Sequence, residues 1–146
     1  VPMKKILVPL DGSAMAEQAL DIVEEMLDRN IRLVLVRVLN PLTLTGADFT
    51  KQEAKDYLRD QAESFQSRHP DIEVACFIEE GLAANKIIDL SRTEDVGLIV
   101  MTTHGAGGLG RWLMGSVAEK VVRHAPCPVL TLGAETLKKR TGYSED

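Results

Sequence analysis

The chain has 146 residues, of which 45% are hydrophobic, 27% charged and 4% aromatic, the balance of a single globular domain with an aliphatic core. A formal net charge of −5 argues against a nucleic-acid-binding surface, which needs clustered Lys and Arg. No apolar run approaches the roughly 20 residues that cross a bilayer, and the apolar run after Lys5 is interrupted by Asp11, which does not suit a signal peptide.

Lys5–Leu10 is a short apolar run closed by Asp11-Gly12-Ser13, the sign of a buried strand feeding a turn. Ala14–Asp28 follows with apolar residues at helical spacing, from Ala16 to Leu27. Arg32–Leu39 reads as a second strand ended by Asn40-Pro41. The polar segment Pro41–Thr50 reads as a loop, and Lys51–Arg68 as a second helix stopped before Pro70. Glu73–Ile78 is a third strand, and Glu79-Glu80 before Gly81 reads as a solvated turn. Leu82–Ser91 is a third helix and Val96–Thr102 a fourth strand. After a glycine-rich loop come a helix over Ser116–His124 and a fifth strand over Val129–Leu132.

This alternation implies an α/β fold with a five-stranded, mainly parallel sheet and helices on both faces. Residues 1–134 form the expected domain, and 135–146, with Lys138-Lys139-Arg140, a polar tail. Cys76 and Cys127 match no metal or redox spacing and read as reduced, partly buried small hydrophobes. The expected compartment is the cytoplasm. His69 and His124 fall at expected helix C-termini, where a cation suits the dipole.

In such folds ligands bind outside the carboxyl ends of the strands, where strand order reverses. Asp11–Ser13, Val38–Asn40 and Thr102–Gly110 all belong to that edge. The loop His104–Arg111 packs four glycines after a buried strand, and its N–H groups can cradle phosphate oxygens. Gly105, Gly107 and Gly110 spell G-x-G-x-x-G, but the acid expected roughly 20 positions later is missing. Gly105 to Gly110 also has P-loop spacing, but Arg111 and Trp112 replace the Lys and Ser/Thr that hold phosphate and magnesium. Both patterns fail.

What remains is a longer register, from Gly105 to Gly115-Ser116 at the start of a helix. Ser116-Val117-Ala118-Glu119 has the form of a capping box, which makes Ser116 the expected cap. That helix N-terminus is also an anion site, through its free N–H groups and dipole. In Asp11-Gly12-Ser13 either side chain can cap the first helix. His104 suits a phosphate contact or an ordinary loop position, and Arg111 either closes over phosphates or faces solvent.

The sequence resembles the universal stress protein family over nearly its whole length. The resemblance is carried by Lys5–Ser13, Leu98–Gly105, Gly108-Leu109, Leu113–Val121 and His124–Leu130. It implies a Rossmann-like fold related to adenine-nucleotide α-hydrolases, and a homodimer paired through the last strand, Val129–Leu132. The ATP-binding branch has the pattern G-x2-G-x9-G-[S/T], which falls here on Thr102, Gly105, Gly115 and Ser116. Its first position is Thr rather than Gly.

By the same resemblance, Asp11, with Gly12 and Ser13, faces the ribose or a phosphate-bound Mg²⁺, and the backbone of Val38 meets adenine. His104, Gly105, Gly115, Ser116 and Val117 line the phosphates, and Gly108 and Arg111 are counted with them as candidate nucleotide-binding residues. The expected function is an ATP-, ADP- or AMP-binding regulatory protein of the stress response, without membrane insertion and with at most slow ATP hydrolysis. Two rivals remain: an ATP-independent interaction module of the same fold, and a slow ATP-hydrolysing or adenylate-handling enzyme.

Overall fold

A computed structural model describes residues 4–26, 30–41, 47–103, 114–133 and 135–136. In chain order the elements are β1 (Lys4–Pro9), α1 (Ala14–Glu25), β2 (Ile31–Leu39), α2 (Ala47–Arg68), β3 (Glu73–Glu80), α3 (Ala83–Thr93), β4 (Leu98–Thr102), α4 (Ser116–His124) and β5 (Val129–Leu132). The strands form one sheet in the order β3-β2-β1-β4-β5, and all four pairings are parallel. The expected α/β architecture is therefore present.

Successive strand side chains point to opposite faces, so the sheet divides the core in two. Val8, Leu33, Leu35, Val100 and Leu132 pack with Ala19, Leu20 and Val23 of α1 and Leu58 and Phe65 of α2. Leu7, Val34, Val36, Ile99 and Met101 pack on the other face with Ile87 and Ile88 of α3 and Ala118 and Val121 of α4. A sheet buried on both faces needs continuous apolar strands rather than alternating ones, which accounts for the composition of β1, β2 and β4.

Several boundaries differ from the sequence reading. β3 continues through Glu79 and Glu80, which pair with Val38 and Leu39; the long neighbouring strand, not the residues' own preference, extends it. The two acids therefore end a strand rather than form a turn, and Glu80 meets Lys51 at 3.7 Å. α2 begins at Ala47, four residues earlier than its periodicity suggests, while residues 42–46 of the expected loop lie outside the described residues. α1 ends at Glu25, where the Met26 N–H turns back to Val23 O. Cys76 is exposed rather than partly buried, because β3 is an edge strand. Cys127 is intermediate, as expected. No helix among the described residues is long and apolar enough to cross a membrane.

Chain order runs from β1 outward to β2 and β3, then returns to the other side of β1 for β4 and β5. The order thus reverses between β1 and β4. In folds of this kind the ligand crevice lies at such a reversal, outside the carboxyl ends of the strands.

Candidate functional site

At the end of β1 the chain turns sharply through Asp11-Gly12-Ser13, with Gly12 at φ +88°. Ser13 is the N-cap of α1, its Oγ accepting the Ala16 N–H at 3.1 Å. Asp11 acts one step earlier: its Oδ1 accepts from the Ser13 N–H at 2.9 Å and from the Ser13 hydroxyl at 2.5 Å. The choice between the two side chains resolves as a relay, with Ser13 capping the helix and Asp11 fixing Ser13. Removing an N-cap oxygen costs about 1 kcal/mol. Ser13→Ala is therefore expected to lower the unfolding free energy by about that amount, read as a reduced urea midpoint.

On the next strand, the β1–β2 register ends at Pro9 opposite Val36, with a last bond from Leu10 N–H to Val36 O at 2.8 Å. Backbone groups of alternate residues in a strand face the same neighbour. Leu39 O faces β3 and accepts the Gly81 N–H at 2.9 Å. The N–H and C=O of Val38 accordingly face the side of β1, just where β1 has turned away into Asp11-Gly12. One donor and one acceptor stand side by side at the carboxyl edge of the sheet.

Thr102 ends β4 opposite Leu132 and is buried, with 7% of its surface exposed. It shares the sheet face of Val100, which packs on the α1 and α2 side, so its side chain is directed away from α4. The next residue ties the edge together: the Thr103 N–H donates to Leu132 O at 3.0 Å, and Thr103 O accepts the Gly115 N–H at 2.8 Å. The chain therefore leaves β4 and enters α4 at one point.

Ser116 does not cap α4. The N-cap is Gly115, at φ −59° and ψ 154°, with no side-chain cap bond, and Ser116 is the exposed first residue of the helix. With Gly115 as cap, Glu119 falls one position too late for a capping box. It pairs instead with Arg123 at 3.1 Å. The first-turn N–H groups of α4 lack intrahelical partners by construction, and Ser116 and Val117 are both exposed beside them. His104, Gly105, Gly108 and Arg111 lie outside the described residues.

The structure thus gathers Asp11, Gly12, Ser13, Val38, Thr102, Gly115, Ser116 and Val117 along one carboxyl edge, with Thr102 turned to the far face. Two neighbours carried no motif. Arg37 lies against Gly12; its only signal was a cation near the end of an otherwise apolar run. Leu82 is 54% exposed at the N-cap of α3, a position that favours Ser, Thr, Asp or Asn. Among the described residues, no group of three or more His, Cys, Asp or Glu gathers to hold a metal.

Comparison with known proteins agrees with the fold. The model of the universal stress protein family matches residues 2–132. A universal stress protein of Methanocaldococcus jannaschii is 30% identical over 139 residues, covering 88% of this chain and 81% of its own. One from Mycobacterium tuberculosis is 32% identical over 131 residues, 86% of this chain but 44% of its own, so the chain spans less than half of that relative. Among solved structures, the universal stress protein UspA of Lactobacillus plantarum has a TM-score of 0.74 at 26% identity, covering 90% of this chain and 99% of its own. The universal stress protein of Archaeoglobus fulgidus in complex with dAMP has a TM-score of 0.65 at 21% identity, over 88% and 96% of the two chains, a likeness of fold.

Proposed function

We propose that this chain, which belongs to the universal stress protein family, is a regulatory protein that holds an adenine nucleotide (ATP, ADP or AMP) in the crevice between the ends of β1 and β4. The observation that carries this reading is the pairing of two backbone features at one edge. Val38 presents an N–H and a C=O where β1 has turned away, matching the acceptor and donor of an adenine edge. The first turn of α4 starts at the same carboxyl edge, where Gly115 N–H meets Thr103 O, and its amides suit phosphate oxygens. A fold neighbour from Archaeoglobus fulgidus was solved with dAMP, which supports the same ligand class.

The remaining residues fall into place around these two. The Asp11 turn meets the ribose, and Leu82 offers apolar surface beside the base. Thr102 in place of glycine is compatible with the nucleotide, because its side chain belongs to the α1 face. Asp11 fits the oxygen chemistry of Mg²⁺, yet it is a single carboxylate. A magnesium ion would therefore arrive with the nucleotide and complete its shell from phosphate and water. Such an ion would offset the repulsion between Asp11 and the phosphates. His104, Gly105, Gly108 and Arg111 are assigned to the nucleotide from the sequence alone.

We assign a homodimer to the outer edge of β5. Leu130 is 38% exposed there and Val122 of α4 is 45% exposed. Leu132 is 5% exposed and packs in the monomer's own core, so a charge there would unfold the chain rather than separate subunits. Leu130→Asp is the informative variant. Its mass by light scattering is expected to fall to one chain, and an unchanged dimer would remove the β5 interface.

The nucleotide itself is tested by gentle purification, denaturation and chromatography of what is released. AMP, ADP or ATP in the released fraction supports the reading. A chain that releases none and takes up none on incubation is the ATP-independent module instead.

A further inference from the structure

Beneath the Asp11–Ser13 turn lies a polar cluster that neither the fold nor the nucleotide contacts require. Arg37, near the carboxyl end of β2, places its guanidinium under Gly12. Its Nη1 is 2.7 Å, and its Cζ and Nη2 3.4 Å, from where a Cβ on Gly12 would stand. Tyr57 of α2 covers the guanidinium from another side, with Cζ 5.2 Å from the ring centroid. The Tyr57 hydroxyl in turn donates to Glu17 Oε2 of α1 at 2.7 Å. Burial first, and then that bond, push the hydroxyl well above its ordinary range, so it stays a donor. Asp11 precedes Gly12 in the chain and Glu17 lies across Tyr57, so the cation stands between two elements that each bring a carboxylate.

A half-buried arginine is expensive. It gives up hydration and much of its rotamer freedom, and an aliphatic side chain would fill the space under Tyr57 at lower cost. Two returns are visible. The planar guanidinium, clamped by the Tyr57 ring, forms a floor for a turn whose glycine has no side chain to anchor it. Its charge also lies against Gly12, the residue after Asp11, where it would weaken the repulsion between that carboxylate and an incoming phosphate.

We propose that Arg37 is a positioning residue for the nucleotide. It holds the Asp11-Gly12-Ser13 turn from below and offsets the charge of Asp11, and α2 holds Arg37 in place through Tyr57 and its bond to Glu17. The inference rests on the reading that this turn meets the nucleotide, and it adds a helix not otherwise part of the site.

The test compares wild type, Arg37→Met and Arg37→Lys in two measurements. Backbone hydrogen exchange in nucleotide-free protein is expected to quicken at Gly12 and Ser13 in Arg37→Met, while exchange in β4 and α3 stays unchanged. Calorimetric titration with ADP is expected to lose about tenfold in affinity at low salt, the scale of one interaction with a charged group. That gap should narrow at high salt, as the charge is screened, and Arg37→Lys should recover part of it. A merely structural role would move neither the salt dependence nor the lysine rescue.

Unchanged exchange at the turn in a folded Arg37→Met protein would overturn the inference, as would wild-type affinity in that variant. If wild type binds no nucleotide, the proposed function fails, and the exchange experiment alone decides whether Arg37 holds the turn. If Arg37→Met does not fold, Arg37→Gln is read on the same two measurements, with the same results expected and the same results overturning.

Discussion

Gly115→Val is expected to leave the chain folded and to cost at least about a hundredfold in affinity for ADP, roughly 2.7 kcal/mol. Gly115 is the N-cap of α4 at φ −59° and ψ 154°, a backbone region open to valine, so no strain follows from the substitution itself. Its N–H keeps the bond to Thr103 O at 2.8 Å, and the junction of β4 with α4 survives. The change is expected to act at the carboxyl edge, where added bulk at the cap would keep phosphates from the first-turn amides. Glycine is a better N-cap than valine, which adds a stability loss of about 1 kcal/mol at most. Calorimetric titration and a thermal melt separate the two effects. Affinity within a few-fold of wild type would mean that the phosphates do not pack against this backbone.

Phe65→Ala is expected to be the most damaging single substitution for the fold, at about 3–5 kcal/mol. Phe65 is fully buried and is among the largest such side chains among the described residues. It belongs to the narrow stripe Ala54, Leu58, Ala62 and Phe65 by which α2 meets the sheet, in the same core as Leu33 and Leu35. The rest of α2 from Lys51 onward is largely charged or exposed, and two of the four stripe residues are alanines, so no neighbour can replace the ring. A loss of that size is a large part of the roughly 5–15 kcal/mol that holds a domain together. Urea unfolding reads it as a lower midpoint with an unchanged slope. A loss below about 1 kcal/mol would mean that α2 contributes little to the core.

How far these features were legible in the sequence follows from what determines each of them. β5 and α4 agree with expectation at both ends, because Gly115 on one side and Pro126 and Pro128 on the other punctuate them. The parallel sheet was legible because its apolar strands alternate with amphipathic helices. β3 ran past its expected end because its length is set by pairing with β2, a partner distant in sequence. α2 started early because its first turn lacks the apolar period that marks a helix.

At the site, Asp11, Gly12 and Ser13 were identifiable as a group, but only the coordinates separate the cap from the residue that fixes it. Ser116 misled because a Ser-x-x-Glu spelling marks a cap only when the chain enters the helix at the serine. Here Thr103 takes the Gly115 N–H and moves the entry one residue back. Arg37 had no local signal, since its partners Gly12 and Tyr57 lie on the first loop and the second helix. The side-chain direction of Thr102 likewise depends on which face of the sheet α1 covers.

An adenine nucleotide between the ends of β1 and β4 is tested most directly by calorimetric titration of the wild-type chain with ATP, ADP and AMP in the presence of magnesium. Saturable binding of at least one of them is expected at one site per chain, lost in Gly115→Val. Absence of binding by all three, in a protein shown to be folded and nucleotide-free at the start, would contradict it.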